Sequence, residues 1–271
     1  MIIVDERNLK LVQQQAKNCV IALGFFDGVH MGHQKVIETA KLEAKSRQLP
    51  LALMSFKTHP INILSDGKRK VENLTTLCTK QKKLQDLEID VLYLVDFTKS
   101  FANLTPQCFV EEYLVKLGVV HAVAGFDYSY GIQGSGKLAQ IPFYSKGDIS
   151  VSEVGCMNYK NEKISSTAIR QRLKQRMVHE IHHFLGHHYI SKANLNGYEL
   201  EILEDTMLPE TGCYKVILKN QMFQYAINVI ISPKGKITCL HPIPKELQGE
   251  VYIEWLALKQ EIKWGLLEQT V

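Results

Sequence analysis

Val20-Ile21-Ala22-Leu23-Gly24-Phe25-Phe26-Asp27-Gly28-Val29-His30-Met31-Gly32-His33 is the stretch whose reading decides the fold of this chain. Four apolar residues make a short buried strand, the glycines and Asp27 make a turn, and a helical pattern runs on from Gln34 to Arg47. A strand that passes through such a turn into a helix start gathers free backbone N–H groups and the positive end of the helix dipole. That junction is an anion site. His30 and His33 lie three apart, so in the first helical turn their imidazoles can share a face, and Gly32 leaves room for a phosphate against the backbone.

Outward from this stretch, apolar runs alternate with helical patterns. Leu51 to Phe56, Val91 to Val95 and Ala122 to Ala124 read as further buried strands. Lys80 to Leu87 and Pro106 to Leu117 read as helices, the second opening with Thr105 as N-cap and Pro106 at the first helical position. Strict alternation predicts an α/β fold, a doubly wound, Rossmann-like parallel sheet whose ligands sit beyond the carboxyl ends of the strands. A helix pair over Ser166 to Phe184 precedes a change of texture. Around Tyr214 to Leu218 and Tyr225 to Ile231, β-branched and aromatic residues alternate between Gly and Pro punctuation. Two domains are expected, residues 1–184 and a smaller, mostly β module over 185–271, for which the family resemblance described below implies a β-barrel-like form.

Composition sets limits on function. A formal charge of +4 and the short clusters Lys68-Arg69-Lys70 and Lys80-Gln81-Lys82-Lys83, which lack interleaved aromatics, read as solvated helix faces and point away from nucleic acid. No stretch stays apolar long enough to span a membrane, and the first ten residues do not read as a leader. Six scattered cysteines with no CxxC pair suggest reduced thiols and a cytoplasmic location. Oligomeric state leaves no mark in the sequence.

The string Gly24 to His33 resembles the signature of the HxGH nucleotidylyltransferase superfamily, and in its fuller GxFDGVHxGH form that of the bacterial riboflavin kinase/FMN adenylyltransferases. Later segments keep that family's order. Ser55-Phe56-Lys57-Thr58-His59-Pro60 is similar to its F-x-P-H-P loop, with Thr58 in place of the usual proline. Leu74-Thr75-Thr76 with Lys80 also matches family positions and reads as capping and packing. Gly125-Phe126-Asp127-Tyr128-Ser129-Tyr130-Gly131 resembles its G-x-D/N-F-x-F-G segment, where Gly131, Gly134 and Gly136 allow close backbone approach to a ligand. Asp127 there could accept from ribose hydroxyls or orient a neighbouring loop. Ile164-Ser165-Ser166-Thr167-Ala168-Ile169-Arg170 resembles ISSTxIR. In this motif Ser165 or Ser166 can N-cap a helix and Arg170 can present a bidentate guanidinium.

The resemblance implies an FMN adenylyltransferase with ATP and FMN as substrates and Mg²⁺ as cofactor. It implies His30, His33 and Arg170 as catalytic residues. Gly24, Phe25, Asp27, Gly28, Gly32, Asp127, Ser165, Ser166 and Thr167 are implied at ATP, and Phe56, His59, Pro60 and Tyr130 at FMN. Asp27 would bind the metal or shape the turn.

In the same family a carboxyl-terminal barrel phosphorylates riboflavin. Leu185 to Tyr189 resembles the join between modules, Leu208-Pro209-Glu210-Thr211-Gly212-Cys213-Tyr214 resembles its LPxxGxY entry, and Glu250 falls where its catalytic glutamate is expected. The GFPTAN motif that holds ATP and magnesium there is missing, and residues 192–207, KANLNGYELEILEDTM, hold nothing equivalent. The sequence therefore predicts a synthetase without kinase activity. His179, His182, His183, His187 and His188 read as a solvated helix end rather than a metal site. The rival readings are a bifunctional enzyme that keeps the kinase, another HxGH transferase such as a cytidylyltransferase or pantetheine-phosphate adenylyltransferase, and a non-catalytic flavin- or nucleotide-binding regulator.

Overall fold

Both faces of the Cys19–Leu23 strand are buried, and its alternate residues separate cleanly. Cys19, Ile21 and Leu23 enter one apolar cluster, while Val20 and Ala22 enter another with Val36, Ile37, Ala40 and Ala44 of the following helix. Covering both faces is what a parallel sheet requires. In the computed structural model, which describes residues 2–65 and 68–260, this strand lies inside a six-stranded sheet. The order across it is Ile2–Val4, Val91–Val95, Leu51–Phe56, Cys19–Leu23, Val119–Gly125 and Ser150–Val154, with every pairing parallel. The Rossmann-like fold expected of the first part is the one observed.

Several boundaries move, each for a local reason. The helix after the glycine turn runs Met31–Arg47, three residues earlier than the expected start at Gln34, because His30 caps it. The helix expected over Lys80 to Leu87 is Leu77–Asp86. Thr105 caps the Pro106–Tyr113 helix as read, with its Oγ1 accepting from Cys108 N at 3.1 Å, and a 3-10 turn at Val115–Leu117 ends it. The two edge strands, Ile2–Val4 and Ser150–Val154, escape the sequence because the first has three residues and the second is half exposed and interleaved with serine.

His121 is buried on the Val119–Gly125 strand among polar partners. Its Nδ1 lies 2.6 Å from Ser150 Oγ and 3.3 Å from Arg47 Nη2, and its Nε2 lies 3.0 Å from Ser152 Oγ. An arginine can only donate, so Nδ1 accepts and the ring is neutral. Burial holds its pKa below the ordinary value, with Arg47 adding to that and Glu43 opposing. The folded state therefore binds this proton less readily than the unfolded chain. The stability it contributes is complete above about pH 6.5 and is lost as the pH falls below that. Thermal melts between pH 7.5 and 5.5 should show a shallower loss for His121→Gln than for the wild type; equal slopes would contradict this.

Contacts divide the chain into two compact units, residues 1–71 with 77–158, and residues 72–76 with 159–271. Residues 261–271 of the expected second domain lie outside the described residues. Strand Tyr189–Asn196 opens a closed antiparallel barrel in the second unit. It is followed around the barrel by Glu199–Ile202, Ile237–Cys239, Gln224–Ile231, Gly212–Lys219 and Gly249–Gln260. Alternation gives it a core, with Val251, Ile253 and Trp255 pointing inward and Trp255 Nε1 donating to the buried Ser191 Oγ at 3.0 Å. In the same unit the Ser166–Lys174 helix carries Arg172, 8% exposed, between Glu162 and Glu180 and over the Phe184 ring.

Candidate active site

The turn after Leu23 is held in an unfavourable backbone. Phe26, Gly28 and Val29 take positive φ values of 55°, 76° and 48°. Glycine tolerates this freely, whereas a β-branched valine in the left-handed region costs on the order of 1–3 kcal/mol and persists only where its surroundings impose it. They do so here. Phe26 and Val29 are buried in the cluster beneath the Met31–Arg47 helix, and Val29 O accepts from Gln34 Nε2 at 2.9 Å. The Phe25 carbonyl accepts from Ser55 Oγ at 2.7 Å.

This strained turn delivers two imidazoles to a helix N-terminus. His30 is the N-cap and its Nδ1 accepts from His33 N at 3.2 Å, which leaves the proton of a neutral His30 on Nε2. The His30 and His33 rings stack with centroids 3.6 Å apart and planes 14° from parallel, so the two histidines share a face as their spacing suggested. Phe26 lies 5.1 Å from the His33 ring. Asp27, 2% exposed, is buried in the same turn.

Two lysines belong to this site that sequence reading placed elsewhere. The Lys80-Gln81-Lys82-Lys83 cluster is not one solvated face: Lys82 is exposed, but Lys80 is 5% exposed and Lys83 is half-buried. Nor is Lys80 a cap. Its Nζ donates to Ser55 Oγ at 3.0 Å, Phe25 O at 3.2 Å and Phe56 O at 3.4 Å, and lies 4.8 Å from the Phe25 ring centre. Burial pulls its pKa down to about 8, with the charge of Asp27 opposing, and burial also lowers Lys83, again against Asp27. Spacing held the clue: Lys80 lies three residues after Leu77 and four before the buried Leu84, on the apolar side of the helix.

Of the expected flavin residues, Phe56 ends the Leu51–Phe56 strand, His59 and Pro60 follow it, and Tyr130 lies in the short Ser129–Tyr130 strand. His59 caps the Pro60–Leu64 helix, with Pro60 in its first turn, and packs edge-on to Phe25 at 4.8 Å. Phe56 meets Phe101 at 5.6 Å, Phe101 meets Phe109 at 6.1 Å, and Phe109 meets Tyr130 at 4.9 Å, so Phe56 and Tyr130 end one aromatic wall. Gly136 is required beside Tyr130, since a Cβ there would lie 2.5 Å from the ring. Asp127 is exposed in the loop after Val119–Gly125.

The Ser165–Arg170 motif falls in the second unit. There Ser165 is the cap, its Oγ accepting from Ala168 N at 3.1 Å, and Arg170 Nε donates to Glu72 O at 2.8 Å. Ser166 is half-buried and Thr167 is exposed.

Among the described residues no group of three His, Cys, Asp or Glu side chains is placed to hold a metal ion. The histidine-rich segment stacks instead: His182 on His183 at 3.8 Å, and His183 on Tyr159 at 4.2 Å. One buried carboxylate, Asp27, suits an Mg²⁺ that takes its other ligands from phosphates and water, as this hard cation commonly does.

A parallel sheet whose central strand feeds a strained glycine turn, two stacked histidines and a helix N-terminus defines an α/β domain with an anion-favouring helix start at the sheet's carboxyl edge. The family described as FAD synthetase matches residues 12–168. A bifunctional riboflavin kinase/FMN adenylyltransferase of Listeria monocytogenes is 40% identical over 211 residues, 73% of this chain and 67% of its own length. One from Bacillus subtilis is 40% identical over 183 residues, 68% of this chain and 58% of its own. A second Listeria protein, named FAD synthetase, is 31% identical over 203 residues, 74% of this chain and 82% of its own. A crystal structure of a macrolide-efflux protein from Streptococcus pneumoniae superposes with a TM-score of 0.83 at 26% identity, covering 99% of this chain and 96% of that one. The chain belongs to the FAD synthetase family, whose named relatives are nucleotidyltransferases. Among the described residues no helix is long and apolar enough to cross a membrane.

Proposed function

We propose that the chain makes FAD and pyrophosphate from FMN and ATP, and that it lacks riboflavin kinase activity. The stacked His30–His33 pair at the helix N-terminus, held by a turn that accepts backbone strain to place it, carries the first part. An FMN phosphate oxygen attacks the α-phosphorus of ATP in line, a new P–O bond forms, and the bond to pyrophosphate breaks. No covalent enzyme intermediate is needed, so the protein's work is positioning and charge neutralisation. Ring N–H groups of His30 and His33 and the free amides of the helix start hold the phosphate oxygens. Gly24, Phe25, Gly28, Gly32 and Asp127 are proposed at ATP, and Phe56, His59, Pro60 and Tyr130 at FMN. Ser165, Ser166, Thr167 and Arg170 are proposed at ATP on their motif. Mg²⁺, entering with the nucleotide and met by Asp27, would neutralise charge on the leaving pyrophosphate. Incubating the protein with FMN, ATP and Mg²⁺ and separating the flavins tests this; CTP serving better than ATP, or binding without turnover, would favour a rival reading.

Two features of the barrel support the absence of kinase activity. Residues 192–202, the larger part of the stretch where the missing motif would be sought, form a tight hairpin in which Asn196 pairs with Glu199 across Gly197 and Tyr198. Glu250 lies on the outside of its strand and pairs with Lys192 at 2.9 Å. γ-Phosphoryl transfer depends on holding phosphates and metal in place, so riboflavin with ATP and Mg²⁺ should yield no FMN above background. Sustained FMN production would overturn this and make the chain bifunctional.

A further inference from the structure

Lys80 raises a question that packing alone does not answer: a buried ammonium is costly, and an apolar side chain of the same length would fill this helix position at lower cost. Its three N–H donors meet three acceptors, Ser55 Oγ, Phe25 O and Phe56 O, all of them neutral. Its positive charge is thus not consumed by a carboxylate in its hydrogen-bond shell. It sits where the turn after Cys19–Leu23 and the loop after Leu51–Phe56 meet, at the carboxyl ends of two adjacent parallel strands. Those loops carry His30 and His33 on one side and Phe56 and His59 on the other. In a low-dielectric setting an ammonium there acts on an incoming polyanion far more strongly than it would in water.

We propose that Lys80 is a positioning residue for phosphate transfer: it clips the histidine turn to the Phe56–His59 loop and supplies buried positive charge beneath the polyphosphate of the bound nucleotide. Asp27 and Lys83 share this charge environment, Asp27 from the turn and Lys83 from the same helix, so Lys80 keeps its proton near neutral pH with Asp27 supporting it. The proposal deepens the FAD-synthetase reading and rests on it for its substrates. Helical spacing shows that Lys80 is on the buried side, but not what it meets, since its partners at Phe25 and Phe56 are backbone carbonyls.

Lys80→Met and Lys80→Gln test it, the first removing charge and hydrogen bonds, the second removing charge while keeping a donor. Ser55→Ala removes one acceptor and keeps the charge. Both lysine variants are expected to melt no lower than the wild type by more than a few degrees, with kcat for FAD formation at least tenfold lower and the KM for FMN within threefold. Ser55→Ala should lose less than a third as much of kcat on a logarithmic scale. A kcat within twofold of wild type in whichever lysine variant folds, or an equal loss in Ser55→Ala, would overturn the proposal, since a mere clip would not distinguish the variants. If the wild type itself forms no FAD, the functional reading fails separately. Calorimetry with inorganic pyrophosphate then decides on Lys80: at least tenfold weaker binding by Lys80→Gln upholds the charge role, and unchanged binding ends it.

Discussion

His33→Ala is expected to lower the turnover of FMN to FAD by about 10²–10³-fold at saturating ATP, the usual loss when a preorganised donor to developing phosphate charge is removed. The geometry gives the reason. His33 stacks on His30 at 3.6 Å, its backbone N–H is held by His30 Nδ1, and its ring lies 5.1 Å from the buried Phe26. The ring is therefore fixed before any ligand arrives, and its contribution requires no reorganisation during the reaction. A donor of this kind acts on the transferring phosphoryl group more than on the isoalloxazine, so the KM for FMN should move much less than kcat. His30→Ala should be at least as damaging, because it also removes the cap of the Met31–Arg47 helix. Stopped-time chromatography of flavins over a range of FMN concentrations separates the two parameters. Near-normal kcat in His33→Ala would remove the histidine pair from the mechanism.

The largest effect on stability is expected at Arg172. Its guanidinium donates to Glu162 at 2.6 and 3.1 Å, to Glu180 at 3.1 Å and to Ala168 O at 3.2 Å, and it lies 4.0 Å from the Phe184 ring centre. Arg172→Ala deletes the stacking and leaves Glu180, 16% exposed, to the longer contact with the exposed Lys160 at 3.7 Å. Breaking a buried pair from one side costs about 3–5 kcal/mol; Glu162 is 42% exposed and can recover hydration, which places the expectation near 3 kcal/mol. The hydrogen bond from Arg172 also holds the Glu162 carboxyl below its ordinary pKa, so this contribution is present at neutral pH and disappears as the pH falls through the acid range. Urea titration of wild type and variant measures the loss directly. A change under 1 kcal/mol would show that the cluster is a solvated surface pair.

Arg172 and Lys80 also show where sequence reading stops. The strand, turn and helix from Val20 to Arg47 were legible because apolar period, glycine placement and cap chemistry all agreed. The same agreement located the parallel sheet, the Thr105 cap and a mostly β second domain, while Ser165 and Ser166 both stayed open as the cap and the barrel came from the family resemblance. A charged residue, by contrast, reads as solvated unless its partners are visible. Lys80 donates to two carbonyls and a serine far along the chain, and Arg172 is paired with carboxylates ten residues before and eight after it. Helical spacing alone could have flagged them: Lys80 aligns with Leu84, and Arg172 aligns with Ala168 and Ile169 on the buried side. The aromatic wall from Phe56 to Tyr130 was equally hidden, because its middle members, Phe101 and Phe109, lie on two separate short helices.

The proposed chemistry makes one stoichiometric demand. Supplied with FMN, Mg²⁺ and ATP labelled at the α-phosphorus, the protein should move the label into FAD and release one pyrophosphate for each FAD formed, with no labelled protein along the way. FMN left unchanged, or label appearing in anything other than FAD, would contradict the account at its centre.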